Sequence, residues 1–501
     1  MKRIYNKIVS ILIVGMVLFS FSCEEFLDLK PYDAQTADQL LLDEAGMRGL
    51  ANGSLRMMKD QLGEESNSVY VRVLFQTTEF PSDNVLIVQP TTDPLWLSFN
   101  RLHIQSQENI SALWGTAYKI ILNCNMIVNN ADIDENTTDT EKQYIGESYF
   151  YRGIIFFDLA RLFSFPPSHG LDQNGIILRT GLGGADAQPR ATVSETYAQI
   201  INDLNNAADL MTERAADGIK YGNKAAAHGY LSRAYLFTEK WDSVVYVANQ
   251  VLGDNPLTND LEPRATYKYA LQNSYASKEA LFILYHDDTE NRSTGAIGSM
   301  YNGDKGWGEV FPSKPYRDLL HKYPHDVRNQ LLDTIWDGAS PSLYQGTSYE
   351  TIYMTKFSYQ NGVATTHSPI FMRKSEVLLN RAEAYAHMVG KEQEALDDVN
   401  AIRERAGLTG DELITLANLT STHGFATVLD AVLNERRLEL AFEGYRRDDL
   451  MRNKIDLDRS FNSAQNVNGD PDVYEYNGPR QIYYIPFSQE IAYNPLCEQN
   501  D

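Results

Sequence analysis

A pyranose ring presents apolar C–H faces edged by hydroxyls. A site for it needs an open aromatic face with an amide, carboxylate or guanidinium in reach. Two stretches of this chain combine those groups. Trp96 and Asn100 lie four residues apart in the segment 93–100, and Tyr301 and Trp307 sit in a glycine-rich turn, where Gly303, Gly306 and Gly308 leave the rings uncrowded. Asp83, Asn84 and Arg292 add polar groups in the same loop-rich regions. Core packing is the competing explanation for each ring, and the better one for Trp114, Trp241 and Trp336, which lie on helical stripes or beside apolar runs.

Catalytic patterns are missing. No Gly-x-Ser-x-Gly, His-Glu-x-x-His or phosphate loop occurs. The Gly181–Gly184 cluster lacks the spacing of a dinucleotide loop and follows no clear strand. Asp132, Asp134 and Asn136 begin like a calcium loop, but Thr137 stands where the turn glycine belongs and Gln143 where the closing glutamate belongs. His321 and His325 have helical spacing with Pro324 between them and no intervening glutamate, which suits a surface loop. The neighbouring acids Asp287 and Asp288 could serve a glycosidase, which needs two carboxyls about 5–10 Å apart. Among 67 acidic residues their adjacency needs no special cause. The sequence therefore assigns no catalytic residue, metal ligand or cofactor.

Helices must position these loops. Ile110, Leu113, Trp114, Ala117, Ile121, Cys124 and Val128 form one apolar stripe, and Tyr149 to Phe163 is apolar on most sides, as a helix buried all round would be. Further periodic runs predict helices over Thr192–Met211, around Ala395–Ala406 with Gly407 as its C-cap, and around Val428–Phe442. Two segments, Gly229–Pro256 and Leu378–Ile402, share an Ala-Tyr pair (Ala234-Tyr235 and Ala384-Tyr385) eleven residues before a small apolar residue. That looks like the tetratricopeptide helix pair, here in copies too far apart for a tandem array. The expected scaffold spans about 36–60, 107–255 and 369–452. Loop-rich stretches at about 61–106 and 257–368 are where such scaffolds carry binding groups. Short strands are expected at Ala280–Tyr285, Thr351–Tyr359 and Gln481–Ile485.

With 501 residues, 43% of them apolar, and 20 Phe, 5 Trp and 30 Tyr, the chain is no disordered polymer. Its net charge of −23 excludes a general nucleic-acid binder, which depends on clustered Lys and Arg. Lys2, Arg3 and Lys7 precede an apolar run from Ile8 to Phe21, too short for a bilayer span of about 20 residues and suited to an export leader over 1–22. Ser22-Cys23 resembles a lipobox, with bulky Phe21 as a departure, so Cys23 is the expected acylated first residue and anchor. The acids Glu24-Glu25 resemble the signal that carries lipoproteins of Bacteroidetes-type bacteria to the outer face of the outer membrane. Cys124 and Cys497 are expected to be free thiols.

Several segments in order carry a family resemblance: Cys23–Pro31, Glu147–Leu159, Arg373–Ala384, Val399–Leu408, Asn434–Leu450, and the tail with Ile485-Pro486, Asn494-Pro495 and Gln499-Asn500. Together they resemble the SusD/RagB family of outer-membrane lipoproteins from residue 23 to the end. The resemblance implies a mainly α, SusD-like fold with tetratricopeptide-type helix pairs, forming one domain over 23–501. It implies no enzyme and no cofactor. It implies a surface protein that holds an oligosaccharide, or a peptide in RagB-like members, above a SusC-like TonB-dependent transporter; a surface glycoside hydrolase is the more distant alternative. Trp96, Asn100, Tyr301 and Trp307 fall roughly where SusD-like proteins carry glycan contacts. The charged run from Glu435 through Asp448-Asp449 is expected to form structural ion pairs, not ligand contacts.

Overall fold

The computed structural model describes residues 44–59, 69–87, 95–183, 186–211, 218–253, 261–334, 342–344, 347–349, 352–461 and 472–500. The expected leader 1–22, Cys23, Glu24-Glu25 and Trp336 lie outside them. Arg48–Asp501 form one compact unit and Met1–Met47 another, of which only 44–47 are described.

Fourteen α-helices are present among the described residues. They are α1 (Glu44–Lys59), α2 (Tyr70–Glu79), α3 (Leu95–Phe99), α4 (Glu108–Val128), α5 (Asp139–Phe163), α6 (Val193–Leu210), α7 (Lys224–Phe237), α8 (Trp241–Leu252), α9 (Tyr267–Gln272), α10 (Lys314–His321), α11 (Lys374–His387), α12 (Glu392–Ala406), α13 (Val428–Glu439) and α14 (Arg446–Arg452). Local chemistry sets several boundaries. Thr138 and Thr192 each close a capping box, with Glu141 and Glu195, at the start of α5 and α6. At the end of α12, Gly407 takes φ +100°, and Leu408 N–H returns to the Arg403 carbonyl 2.9 Å away. This is the expected glycine cap.

Asp134, the would-be calcium ligand, accepts from the backbone N–H groups of Asn136 and Thr137 at 2.8 and 3.1 Å. It shapes the turn into α5. His321 ends α10, while His325 lies beyond it and pairs with Glu412 at 3.1 Å. The two imidazoles therefore share no helix face.

Consecutive helices pack as a stack: α4 on α5, α5 on α6, α6 on α7, α7 on α8, and α11 on α12 and α13. Helix α8 also packs on α11, so the two tetratricopeptide-like pairs are neighbours in space although their sequences are far apart. Trp241 of α8 stacks on His387 of α11, with centroids 4.2 Å apart and planes 6° off parallel. Ala384 sits with Leu236 and Val244 where the two pairs meet. The chain between α8 and α11 is an excursion out of this stack. It is stitched back by an antiparallel ribbon of β2 (Ala280–Ile283) and β4 (Ile370–Arg373).

The other described strands also form two-stranded antiparallel ribbons. Among them are β1 (Val85–Ile87), paired with β3 (Val310–Pro312), and the Ile352–Met354 strand beside it, whose Tyr353 packs on Leu86 and Phe311. The expected strand at Gln481–Ile485 is absent. That segment is an extended strap, held by Tyr483 N–H on the Leu162 carbonyl and Tyr483 hydroxyl on the Thr77 carbonyl, at 2.9 and 3.0 Å. Its alternation reflects burial against helix ends. Cys124 and Cys497 are buried and unbridged, as expected.

Candidate ligand-binding site

The excursion and α1 enclose a pocket of about 600 Å³, within the range of small-molecule sites. Helix α1 turns Leu50, Ala51, Leu55 and Met58 inward and leaves Asn52 and Arg56 exposed at the pocket. The opposite wall follows β2. Asp287 caps a short 3-10 turn, and the Glu290 carboxylate returns to the Asp287 N–H at 3.1 Å. The other Glu290 oxygen holds Lys59 Nζ at 2.6 Å, and that ammonium also donates to the Tyr285 carbonyl at 3.0 Å. One lysine thus ties helix to loop.

Lys220 Nζ lies 4.2 Å from the centroid of the Tyr285 ring, a cation–π contact. His286 is buried, and burial together with the nearby Lys59 charge lowers its pKa to about 4, so it is neutral at pH 7. The lining therefore offers tyrosine faces (Tyr221 and Tyr285), amides (Asn52 and Asn291), and the cations Arg56, Lys59, Lys220 and Arg292. Glu290 is its one acidic residue among those described. This is the chemistry of recognition. A two-carboxylate hydrolysis would need a second acid across the space.

Of the residues expected from sequence, Arg292 lines this pocket. Trp307 is 57% exposed, on a loop anchored by its own N–H to the Ser299 carbonyl at 2.7 Å. Trp96, on α3, is half-buried and stacks on Phe99 at 6.0 Å. The structure buries the other four. Tyr301 is 1% exposed, wedged among Phe80, Phe357 and Phe442, so its ring has no open face. Asn100 is buried and its amide donates to the Trp96 carbonyl at 3.1 Å. Asp83 is gripped by Arg446 at 2.8 and 3.0 Å and by Arg437 at 3.2 Å. Burial would raise its carboxyl pKa, but the two guanidiniums prevail and bring it to about 2. Asn84 bridges Arg437 and Glu79 at 2.9 and 3.1 Å.

Sequence reasoning missed Arg56, Lys59, Lys220, Tyr221 and Tyr285. The first two carried a faint signal, a basic pair three apart on an amphipathic helix of an acidic chain. The others come from turns whose neighbours only the fold supplies.

Glu79, beneath Asn84, is fully buried without an ion-pair partner of its own among the hydrogen bonds it accepts, which come from Asn84, Ser82 and the Gly444 N–H. Burial raises its pKa from 4.5 to about 7. A raised folded-state pKa gives stability that is complete below about pH 4.5 and lost as pH rises through 7. At about 1.4 kcal/mol per pKa unit, the loss is about 3 kcal/mol. Glu79→Gln removes this titration, so urea midpoints measured at pH 5 and pH 8 will differ less in the variant than in the parent. An unchanged difference would place the titration elsewhere.

Residues 197–500 match the family model described as the SusD family. The chain belongs to that family. Residues 25–236 match a second model, described as starch-binding associating with outer membrane. SusD-like protein P2 of Formosa agariphila is 27% identical over 374 residues, covering 69% of this chain and 72% of the relative. SusD-like protein P38 of the same organism is 23% identical and covers 100% of this chain and 99% of its own. A SusD superfamily protein from Bacteroides thetaiotaomicron superposes with a TM-score of 0.80 at 24% identity, covering 92% of this chain and 100% of that one. The mainly helical SusD fold is thereby established. Among the described residues no helix is long and apolar enough to cross a membrane.

Proposed function

We propose that this SusD-family chain is a cell-surface oligosaccharide-binding lipoprotein, exported by residues 1–22 and anchored through acylated Cys23 to the outer membrane. It caps a SusC-like TonB-dependent transporter and passes it nutrient. The observation that carries the ligand class is the pocket itself, with tyrosine faces, amides and guanidiniums around about 600 Å³ and one acid already engaged with Lys59. The family description as starch-binding and associated with the outer membrane supports the same reading. Arg292 contacts ligand in the pocket, and the exposed Trp307 and half-buried Trp96 supply further aromatic faces.

The test is calorimetric titration of the full-length chain with a polysaccharide panel and a peptide pool, followed by chromatography for cleavage. One glycan binds and emerges uncut. Trp307→Ala weakens that binding about tenfold, the loss typical of truncating an aromatic anchor. Peptide binding with silence on every glycan would replace the reading with a peptide carrier, and cleavage would replace it with a hydrolase.

A further inference from the structure

The aromatic wall of the pocket continues beyond its rim. Tyr285 lines the pocket, and its ring centroid lies 6.1 Å from that of Tyr275, with the planes 89° apart. Both rings are half-buried, seated on an apolar cluster that includes Tyr267, Leu271, Ile283 and Ile370. The Tyr275 hydroxyl donates to Asn361 Oδ1 at 2.7 Å and accepts from the Tyr269 hydroxyl. Tyr269, on α9, is 57% exposed. Three tyrosines thus follow one another from the pocket onto open surface.

Polar groups accompany the outer end of this row. Asn361 sits at the tip of a tight turn, with φ +53° followed by Gly362 at +78°. The turn is closed by Gly362 N–H on the Tyr359 carbonyl at 2.9 Å and Tyr359 N–H on the Val363 carbonyl at 3.1 Å. Asn361 N–H donates to Asn273 Oδ1 at 2.9 Å, and its side-chain amide donates to Asp288 at 3.1 Å. Gln360 ties the same turn to the carbonyl of His286, a pocket residue, at 2.7 Å. Asp288 adjoins Thr289, which also lines the pocket. Asn361 and Asp288 are both exposed, yet each is held in place, so a ligand meets them with little ordering left to do.

An exposed phenol ring with an amide and a carboxylate beside it is the combination that a sugar residue needs. Core packing accounts for Tyr275 and Tyr285 but not for the open ring of Tyr269. We propose that this row is an extension subsite for an oligosaccharide longer than the pocket holds. The chain leaves past Tyr285 and Tyr275. An outer sugar then stacks on Tyr269, with its hydroxyls donating to Asp288 and to the Asn361 side-chain carbonyl. The inference rests on the oligosaccharide reading above and deepens it, because the row selects long chains over short ones. A peptide strand fits less well, since the N–H groups of residues 359–363 are already bonded within the protein.

The test is a chain-length series on the full-length chain: malto-, laminari- and xylo-oligosaccharides from the disaccharide to the heptasaccharide, titrated by calorimetry. In the series that binds, the heptasaccharide binds at least about fivefold tighter than the trisaccharide, the gain of one added aromatic contact. Tyr269→Ala removes that gain and leaves the trisaccharide unchanged, whereas Tyr269→Phe, which keeps the ring, retains it. Tyr246→Ala, at a tyrosine 67% exposed on α8, is the control and alters neither. Both tyrosines are exposed, so melting temperatures stay close to that of the parent. Affinity independent of length, or a gain that survives Tyr269→Ala, overturns the inference and leaves the oligosaccharide reading standing. So does a Tyr269→Ala loss that is equal for short and long chains, which would place the effect of the ring inside the pocket. Binding of the peptide pool with silence on every series overturns both.

Discussion

Glu439→Ala lowers the stability of this SusD-family chain by about 3–5 kcal/mol, the cost of removing one partner from a buried ion network. Glu439, at the end of α13, is fully buried. Its carboxylate lies 2.6 Å from Arg373, 2.6 Å from Arg405 and 3.5 Å from Arg328. Those guanidiniums belong to β4, to α12 and to the 3-10 turn Val327–Leu331, so one side chain joins the helical stack to the excursion. Truncation leaves three buried cations facing one another, short of one carboxylate. Denaturant midpoints check the loss. Lys314→Ala, which breaks an exposed pair with Asp318 on α10, serves as the control and should cost no more than about 0.5 kcal/mol.

The pH dependence separates the ionic contribution from simple packing. Burial works to raise the Glu439 carboxyl pKa, but Arg405, Arg373 and Arg328 outweigh it and hold it well below the usual carboxylate range. A depressed folded-state pKa gives stability that is present above the unfolded value, near 4.5, and lost as pH falls through the folded one. The parent therefore loses this contribution progressively as pH falls below about 4.5, and Glu439→Ala lacks that part of its acid limb. Parallel acid limbs in parent and variant would show that the network adds nothing through charge.

The run containing Glu439 was legible in the sequence as structure. Glu435, Arg436, Glu439 and Asp449 form ion pairs, as their spacing suggested, but most partners lie on other elements: Glu435 meets Arg328 and Arg403, and Arg436 meets Glu383, while Asp449 also meets Arg452 of its own helix. Periodicity also located the long helices, because a stripe of Ile, Leu and Phe at 3.6 spacing has few other uses. What periodicity could not show is that α8 lands on α11. Two helix faces that match after 121 intervening residues look the same as two that never meet.

Exposure within the loop-rich stretches was hidden for a related reason. Loop-rich sequence predicts exposed side chains, and Trp307 follows that rule. Tyr301, Asp83, Asn84 and Asn100 do not, because in this fold the segments around them run over the helix ends and are themselves covered. A tyrosine carries no mark in sequence of whether its ring will find Phe80 and Phe442 or solvent. The pocket cations were hidden more completely. Each is unremarkable alone, and the site exists only as their convergence.

Gly444→Ala costs about 2–5 kcal/mol, and the reason is a close approach as much as a backbone angle. Gly444 has φ +80°, and a Cβ built there would stand 2.1 Å from Thr78 Oγ1, which is buried at the end of α2. Its N–H donates to Glu79 at 2.9 Å, and its carbonyl accepts from Arg161 of α5. The backbone therefore cannot slide away from Thr78 without breaking contacts to two helices. Left-handed backbone costs alanine about 1–2 kcal/mol, and forced overpacking adds about 1–3. Gly362 separates the two contributions, since it has φ +78° with open space around it, so Gly362→Ala should lose about 1 kcal/mol. Thr78→Ser in the Gly444→Ala background should recover nothing if Oγ1 is the obstacle, whereas Thr78→Ala should recover most of the excess. Equal losses at both glycines would mean that the packing of Gly444 against α2 contributes nothing, and that Glu79 and the Asp83–Arg446 clasp are positioned by other contacts.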